Sequence, residues 1–302
     1  MIICFICLAV FVIIRHCNQD KIHEHNLTES ENKPTRIVSL APNLTEILFA
    51  LGLGERVVAV SSDSDYPPEV VDKNKMGTFW APDIEAIIAS KPDLVITLCF
   101  EQQQSVAESL KRLGYKVLIL KIEKIEELFR AIEKIGVAAD CEQRADQLVK
   151  EISDRLVDLQ QELASATEVK VLWVVQTEPL RVAGRNTFIN ELIEIAGGEN
   201  AVGPTIAQYP EIGTEELLGF GVEIIIQSAM NAANIPAQQK AAEMFWARWS
   251  SLPAVKNNRI YVIEPDTTLR LGPRLPQGAE MVARCLHPDS FKRTGDFALI
   301  GR

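Results

Sequence analysis

The sequence predicts an α/β fold of two Rossmann-like lobes joined by one long, rigid α-helix. Three observations predict it. Short apolar runs alternate with helical patterns along residues 35–138 and again along residues 167–288, which is typical of parallel sheets covered by helices. Between them, residues 139–166 contain neither glycine nor proline. The length of 302 residues is enough for two domains of ordinary size.

The first lobe is predicted to contain four strands and four helices. Its strands are short runs rich in Val, Ile and Leu, and the third is continuous enough to be buried on both faces. Asn43 and Glu46 have the spacing of a capping box at the start of the first helix. The strands are Arg36–Leu40, Val57–Ser61, Leu94–Leu98 and Val117–Leu120. The helices are Leu44–Leu51, Asp83–Ala89, Gln102–Leu113 and Ile125–Val137.

The linking helix is predicted from Ala139 to about Ala164. Apolar residues recur at intervals of three and four, among them Leu148, Ile152 and Leu159, and charged residues fill the opposite face. About 25 residues rising 1.5 Å each give a rod of about 37 Å. That length exceeds one compact lobe, so the helix is expected to connect two.

The second lobe repeats the alternation and is followed by a C-terminal tail, residues 289–302. Gly197 and Gly198 close its first helix. Its strands are predicted at Val169–Val175, Val222–Gln227 and Arg259–Ile263. Its helices are predicted at Thr187–Ala196, Gln239–Trp249 and Pro276–Leu286.

Residues 1–17 have the features of a signal or membrane-anchor segment, and residues 18–34 those of a flexible polar tether. Ile2–Ile14 is almost entirely apolar but short for a membrane span. No Lys or Arg precedes it and Arg15 follows it, the reverse of the usual signal-peptide order. Cys17 stands where a bacterial lipoprotein carries its lipidated cysteine, although the small residues preferred before it are missing. The segment is cleaved, lipidated or retained, and each outcome makes the protein periplasmic or otherwise extracytoplasmic.

The composition argues against several classes of protein. A formal net charge of −10, with Lys and Arg scattered among Asp and Glu, argues against nucleic-acid binding. The four histidines, in the leader, the tether and at the end of the last helix, are His16, His23, His25 and His287. The predicted core therefore offers no imidazole as a catalytic base or metal ligand, and the chain lacks dinucleotide-binding and Walker loops. We expect no enzyme activity, no metal site and no cofactor.

The three cysteines of the body, Cys99, Cys141 and Cys285, are far apart in the sequence. They are not embedded in a CxxC framework, so neither a zinc site nor a disulfide scaffold is indicated. They are predicted to be buried single thiols, and a disulfide between two of them stays open.

Four segments, taken in order, resemble the solute-binding proteins that serve ABC importers of cobalamin and ferric siderophores. They are RIVSLAPNLTEILFALG, VVAVSSDSDYPPEV, TFWAPDIEAIIASKPDLVI and ELIEIAGGENAV. The resemblance runs from about Arg36 to His287. It implies a ligand in the cleft between the lobes and limited closure, because a continuous helix resists large hinge motion. It also implies a monomer whose partners are a permease with its ATPase and a small molecule, and which meets the membrane only through its N-terminal segment.

The resemblance further implies that strand-end loops contact the ligand. Members of the family hold cobalamin largely with aromatic rings, and this chain keeps rings near the matching positions in Phe79, Trp80 and Tyr209. The implied ligand-binding residues are Asp63, Tyr66, Phe79, Trp80, Leu98, Arg181 and Tyr209.

Several of these positions depart from the family pattern. Asp63 and Leu98 stand where the family carries aromatic residues, and Leu180 or Arg181 stands where it carries a phenylalanine. Tyr66, on the stiff loop SSDSDYPPEV, either contacts the ligand or supports its own loop.

Two glutamates match the residues with which the family docks onto arginines of the permease. They are Glu85 in DIEAII and Glu215 in GTEELL. Each also lies in the first turn of a predicted helix, where a carboxylate interacts favourably with the helix macrodipole. A purely structural role for the pair therefore stays open.

The function implied by the resemblance is extracytoplasmic capture of cobalamin, a corrinoid, and its delivery to an ABC importer. Within the family the alternative ligand is a ferric siderophore or haem. Siderophores are often anionic and are gripped by arginine, and the second lobe offers Arg181, Arg185, Arg270 and Arg274 on predicted loops. Each of these arginines either faces the cleft or is ordinary surface charge. Other hypotheses are an enzyme on the same two-lobed scaffold and a sensory lobe pair anchored at the membrane. The missing core histidine and the export segment count against the enzyme.

Overall fold

The computed structural model describes residues 33–230 and 233–291 of the chain. The predicted leader over residues 1–17 with Cys17, nearly all of the tether and most of the tail lie outside the described residues. Within these two ranges, none of the helices combines the length and the hydropathy that a membrane crossing needs.

The first lobe is built on a parallel sheet with the strand order β3-β2-β1-β4-β5. Its strands are β1 (Ile37–Ser39), β2 (Val57–Val60), β3 (Asn74–Lys75), β4 (Leu94–Leu98) and β5 (Val117–Leu120). All five residues of β4 are buried, as predicted for a strand covered on both faces. From β1 the chain passes first to β2 on one side and later to β4 on the other. The carboxyl ends of β1 and β4 therefore form a topological switch point, where such sheets bind their ligands.

The four predicted helices of this lobe are present. They are α1 (Pro42–Ala50), α2 (Ile84–Ala89), α3 (Glu101–Arg112) and α4 (Ile125–Ala139). The predicted capping box of Asn43 and Glu46 is wrong. Pro42 occupies the first turn of α1, so the cap position falls on Ala41, which has no capping side chain. Both polar residues instead contact the second lobe.

The linking helix is α5 (Glu142–Glu162), 21 residues long, which corresponds to about 31 Å. It begins at Glu142 rather than at Ala139, because Asp140 adopts a left-handed conformation (φ 55°) that ends α4. The two helices pack against each other, and α5 also contacts two helices of the second lobe.

The second lobe has a sheet in the order β10-β9-β6-β7, with β8 also paired to β6. Only the pairing of β6 with β7 is antiparallel in this sheet. The strands are β6 (Val169–Gln176), β7 (Arg181–Val182), β8 (Gly198–Asn200), β9 (Ile224–Ser228) and β10 (Ile260–Ile263). The helices are α6 (Phe188–Ile195), α7 (Thr214–Gly219), α8 (Ile235–Trp246), α9 (Pro253–Lys256), α10 (Pro265–Leu269) and α11 (Leu275–Leu286). The helix expected around Glu215 is α7. The elements not predicted, β3 in the first lobe and β7, β8, α9 and α10 in the second, are too short to show a periodic pattern.

The two lobes share one buried apolar cluster through α5. Its face of Leu148, Ile152 and Leu156 is buried in the same cluster as Ile37 of the first sheet and Val171 of the second. Because packed cores resist deformation, this face fixes α5 against both lobes.

Cysteine burial differs from the prediction at two positions, because Cys141 is only partly buried and Cys99 is exposed. Cys99, Cys141 and Cys285 are all free thiols, and Cys285 is buried as expected. Cys99 is exposed, because it follows β4 and lies in a strand-end loop rather than in the sheet.

A buried ion pair joins the lobes directly. Arg274, just before α11, donates from Nε and Nη2 to both carboxylate oxygens of Glu46 at 2.8 and 2.6 Å. The side chain of Glu46 is only 2% exposed. Burial raises the pKa of the Glu46 carboxyl, and the hydrogen bonds and charge of Arg274 oppose this rise. Beside the pair, the Asn43 amide donates to the Leu271 carbonyl at 3.2 Å.

A second contact between the lobes caps a helix. The N-cap residue of α4, Lys124, provides no side-chain cap. Glu191 of α6 accepts the backbone N–H of Ile125 at 2.9 Å, and the Lys124 ammonium lies 3.7 Å from the same carboxylate. The second lobe thus supplies the negative charge that the N-terminus of α4 favours. Burial raises the pKa of Glu191.

We expect Arg274→Ala to lower the free energy of unfolding by about 3–5 kcal/mol, because it leaves a buried carboxylate without its partner. Urea unfolding followed by circular dichroism measures the change. The control is Arg130→Ala, which removes an exposed partner of Glu126 and should cost less than about 0.5 kcal/mol. The double variant Glu46→Leu/Arg274→Met should recover most of the loss. Equal stability of Arg274→Ala and Arg130→Ala would contradict the buried pair.

Candidate ligand-binding site

A cavity of about 450 Å³ lies between the two lobes. The first lobe contributes the start of α1, the loops after β2 and β3, the end of β4 and the loop after β5. The second lobe contributes the start of α6, the loop after β8 and the segment after α10. The cavity volume is in the usual range for small-molecule sites. The strand ends of both sheets therefore meet at one cleft, as expected for ligand sites in α/β folds.

Three aromatic rings of the first lobe form a cluster at the cavity. The Phe79 ring meets Trp80 edge-on with centroids 4.8 Å apart and Phe100 with centroids 5.4 Å apart. Trp80 is 64% exposed and Phe100 39% exposed, so ring surface remains for a ligand. The backbone N–H of Phe79 donates to the Asp63 carboxylate at 2.5 Å. Asp63 therefore holds the loop that carries the cluster.

The second lobe supplies a ring and apolar side chains to the opposite wall. Tyr209 is 37% exposed at the cavity. Burial raises the pKa of its phenol, with a smaller contribution from the charge of Glu123 across the cleft. Phe188, Leu269 and Leu271 add apolar surface. These four side chains are therefore uncharged at physiological pH.

The arginine that lines the cavity is already paired with carboxylates. Arg270 donates to Asp65 through both terminal nitrogens and lies 2.8 Å from Asp266. The Glu46 carboxylate lies 3.8 Å away. The hydrogen bond from Arg270 lowers the pKa of Asp65 despite partial burial, whereas burial raises the pKa of Asp266. The guanidinium charge is thus compensated before any ligand enters.

Five of the seven residues predicted to bind ligand line this cavity, and two do not. Asp63, Phe79, Trp80, Leu98 and Tyr209 all belong to its lining. The structure does not bring Tyr66 or Arg181 to it. The Tyr66 ring lies under the Arg274 guanidinium at 4.2 Å, so it supports the contact between the lobes. Arg181 pairs with Glu211 at 3.6 Å.

Phe100 was missed by the sequence analysis. An aromatic residue was sought at Leu98, where β4 ends, and the ring lies two residues later, at the N-cap of α3. The signal that could have found Phe100 is its position: it is an aromatic residue in a loop at the end of a strand of the first lobe. Arg270 was considered only as one of four arginines that face the cleft or the solvent.

The two predicted docking glutamates are exposed and free of other tasks. Glu85 and Glu215 lie in the first turns of α2 and α7. The helix N-termini are capped by neighbouring acids: Asp83 accepts the N–H of Ala86 at 3.1 Å, and Glu216 accepts the N–H of Gly213 at 2.8 Å. Neither Glu85 nor Glu215 makes an ion pair or side-chain hydrogen bond within the described part of the chain.

The sequence was compared with models of known protein families. A model described as periplasmic binding protein matches residues 37–267. The chain belongs to the periplasmic binding protein family. Membership also confirms that the protein is not an enzyme.

Two relatives are similar to this periplasmic binding protein over most of its length. An uncharacterized ABC transporter substrate-binding lipoprotein, YvrC of Bacillus subtilis, is 34% identical over 271 residues, covering 87% of this chain and 83% of the relative. The vitamin B12-binding protein of Vibrio parahaemolyticus is 28% identical over 270 residues, covering 89% and 94%.

Solved structures agree with the two-lobed α/β fold. The periplasmic vitamin B12 binding protein BtuF of Vibrio cholerae superposes with a TM-score of 0.72 at 26% identity, covering 86% of this chain and 99% of that one. A periplasmic heme binding protein from Pseudomonas aeruginosa gives 0.75 at 25% identity, covering 89% and 97%. The protein is therefore an extracytoplasmic substrate-binding protein of an ABC importer, which serves a permease and its ATPase with a small-molecule ligand.

The ion pair of Asp65 with Arg270 should make this periplasmic binding protein sensitive to acid. Because the pKa of Asp65 is lowered in the folded state, the pair stabilises the fold above the unfolded-state pKa of about 3.9 and is lost as pH falls through the folded-state pKa. We expect the difference in free energy of unfolding between wild type and Asp65→Asn to be constant between about pH 6 and 5 and to shrink as pH falls below about 3.9 towards the folded-state pKa. Urea unfolding at a series of pH values measures it. A difference that stays constant below about pH 3.9 as well would show that the pair does not form in solution.

Proposed function

We propose that this protein, acting as a monomer, captures cobalamin in the cavity between the lobes and delivers it to an ABC importer. The observation that carries the proposal is the character of the cavity walls: aromatic rings on both sides and no uncompensated cation among the lining residues. The corrin ligand is large, amphipathic and bears amide side chains, and it is well suited to ring surfaces. Relatives named as vitamin B12-binding proteins support the same ligand.

A ferric siderophore fits these walls less well. Anionic chelates are gripped by arginine side chains that have hydrogen bonds to offer. Arg270 and Arg274 pair with carboxylates at the boundary of the lobes. Arg185 pairs with Glu199 at 3.1 Å. An anionic ligand must therefore displace an internal carboxylate before it gains a cation.

Haem is the second candidate, and Tyr209 is the observation that favours it. A tyrosine is one of the side chains that hold haem iron, and Tyr209 lines the cavity. Two features oppose haem: burial disfavours the phenolate form of Tyr209, and the propionates find Arg270 already paired. We therefore place cobalamin first.

Calorimetric titration of the purified full chain with cyanocobalamin tests the proposal. We expect one-to-one binding with a dissociation constant of micromolar or tighter, about −8 kcal/mol or better. Trp80→Ala and Tyr209→Ala should each weaken it roughly tenfold, because a lost ring contact adds to the lost buried area. The matched control is Met244→Ala. Met244 is 72% exposed, comparable to Trp80, and lies outside the cavity lining.

A parallel titration with haemin separates the two candidates. No heat with cyanocobalamin, together with haemin binding that Tyr209→Phe abolishes, would replace cobalamin by haem. Equal binding of cyanocobalamin by wild type and Trp80→Ala would move the ligand away from the aromatic cluster.

We further propose that Glu85 and Glu215 dock the loaded protein onto the permease. Both carboxylates are exposed, and the helix ends beside them are already capped by other acids. Neither carboxylate has a hydrogen bond or ion pair with any residue of ranges 33–230 and 233–291. Exposed charges of this kind set orientation and association rate more than affinity. Export through Ile2–Ile14, with Cys17 as a lipid attachment point, brings both glutamates to the extracytoplasmic face of the membrane, from which the permease receives its ligand.

The double variant Glu85→Lys/Glu215→Lys should lower the rate of association with the permease–ATPase complex of the same organism roughly tenfold. Its cyanocobalamin affinity should not change, because neither residue lines the cavity. Binding to the complex reconstituted in lipid nanodiscs measures the rate. The control is Glu162→Lys, an exposed glutamate at the end of α5. If the control slows association equally, general surface charge rather than docking explains the effect.

A further inference from the structure

We propose that Gln103 is a positioning residue for ligand binding: it holds the aromatic cluster of Phe79, Trp80 and Phe100 in place at the cavity. Gln103 lies on α3 and is completely buried. It does not line the cavity and has no place in the sequence-predicted site. The inference rests on the proposed role of these rings in ligand binding.

The Gln103 amide uses its full hydrogen-bonding capacity. Its Oε1 accepts the backbone N–H of Leu98 at 2.8 Å and the hydroxyl of Thr97. Its Nε2 donates to the carbonyls of Leu40 and Phe79, each at 3.0 Å. An amide has two donors and one oxygen with two lone pairs, so no capacity is left. The orientation follows from chemistry, because a backbone N–H only donates and a carbonyl only accepts.

These four bonds join the elements that build one wall of the cavity. Leu40 follows β1, Leu98 ends β4, and Phe79 lies in the loop after β3. One side chain thereby connects the two strands that form the topological switch point to the loop that carries the rings.

The Phe79 backbone is held on both sides. Its N–H donates to Asp63 at 2.5 Å, and its carbonyl accepts from Gln103 at 3.0 Å. That carbonyl belongs to the peptide group between Phe79 and Trp80. The hydrogen bond from Gln103 therefore fixes the backbone position from which the Trp80 side chain extends. Phe100, which carries the third ring, is the N-cap residue of α3, the helix that contains Gln103. The register between Gln103 and all three rings is therefore set by short, direct connections.

The second lobe contains a matched glutamine without this task. Gln239 of α8 is 6% exposed, accepts the N–H of Val262 at 2.7 Å and donates to the Ile260 carbonyl at 2.8 Å. It therefore clamps a helix to a buried strand, β10, as Gln103 does to β4. Its other donor goes to Glu243 of its own helix, and none of these hydrogen bonds reaches a residue of the cavity lining. Gln239 measures the purely structural effect of losing a buried glutamine.

The test compares Gln103→Leu, Gln103→Glu and Gln239→Leu in the full chain. Three quantities are measured: the midpoint of urea unfolding, the cyanocobalamin dissociation constant, and the Trp80 contribution to near-ultraviolet circular dichroism. The Trp80 contribution is obtained by subtracting the spectrum of the matching Trp80→Phe variant from the spectrum of each protein. This subtraction cancels the signals of the other three tryptophans. This third readout needs no ligand.

Gln103→Leu and Gln239→Leu should both lower the unfolding midpoint, because each leaves buried backbone groups unpaired. Only Gln103→Leu should lose the Trp80 signal and weaken cyanocobalamin binding, by roughly tenfold. Gln103→Glu keeps the acceptor for Leu98 and loses the donors to Leu40 and Phe79. It should therefore weaken binding as well, and it serves in place of Gln103→Leu if that variant does not fold.

An unchanged Trp80 signal and dissociation constant in the Gln103 variants would overturn the proposal and leave Gln103 a structural residue like Gln239. If wild type binds no cyanocobalamin, the cobalamin assignment fails, and the Trp80 signal still decides whether Gln103 positions the ring.

Discussion

The buried ion pair between Glu46 and Arg274 is the constraint on which the geometry of the cleft depends. A carboxylate that is 2% exposed cannot stay charged without a partner and its hydrogen bonds, and its partner lies on the other lobe. Only one separation of the two lobes therefore lets the Glu46 carboxylate and the Arg274 guanidinium form their hydrogen bonds. Tyr66 packs on the same guanidinium, and Asn43 bonds the backbone beside it. The pair fixes the position of one lobe against the other more than it stabilises the fold, because the desolvation of both charges offsets most of the free energy of their attraction.

A cleft held in this way is formed before its ligand arrives. The shared core along α5, the cap that Glu191 places on α4 and the pair of Arg270 with Asp65 act with the Glu46–Arg274 pair. The lobes are therefore fixed along the linking helix and at several polar contacts. Large hinge closure would break at least one of these. Rigidity has a thermodynamic benefit: rings that are already placed lose little further freedom on binding, which leaves more of the contact energy as affinity. It also has a cost, because ligands of another width are excluded.

The elements of the fold could be predicted from the sequence where the signal is local. The run of β4, in which four of five residues are apolar, shows a strand buried on both faces, and the spacing of Leu148, Ile152 and Leu159 shows the buried face of α5. The cavity rings Phe79, Trp80 and Tyr209 could be found because a family resemblance places strand-end loops at a cleft. The contacts between lobes could not be found. Glu46 and Arg274 are 228 residues apart, and the local spacing of Glu46 with Asn43 favoured a capping box instead.

Arginine shows why fold and composition together do not identify a ligand. Relatives with this fold have names that refer to different ligands, so the two-lobed scaffold fixes where the loops meet and not what they carry. The sequence offers four arginines near the cleft, enough for an anionic chelate if they were free. The structure pairs each with a carboxylate, and two of those pairs hold the lobes together. The same charges cannot serve both tasks: an anion that recruited Arg270 or Arg274 would release Asp65 or Glu46 and loosen the lobe contact that shapes its own site. A ligand recognised through ring faces makes no such demand, and for that physical reason a neutral macrocycle suits this cleft.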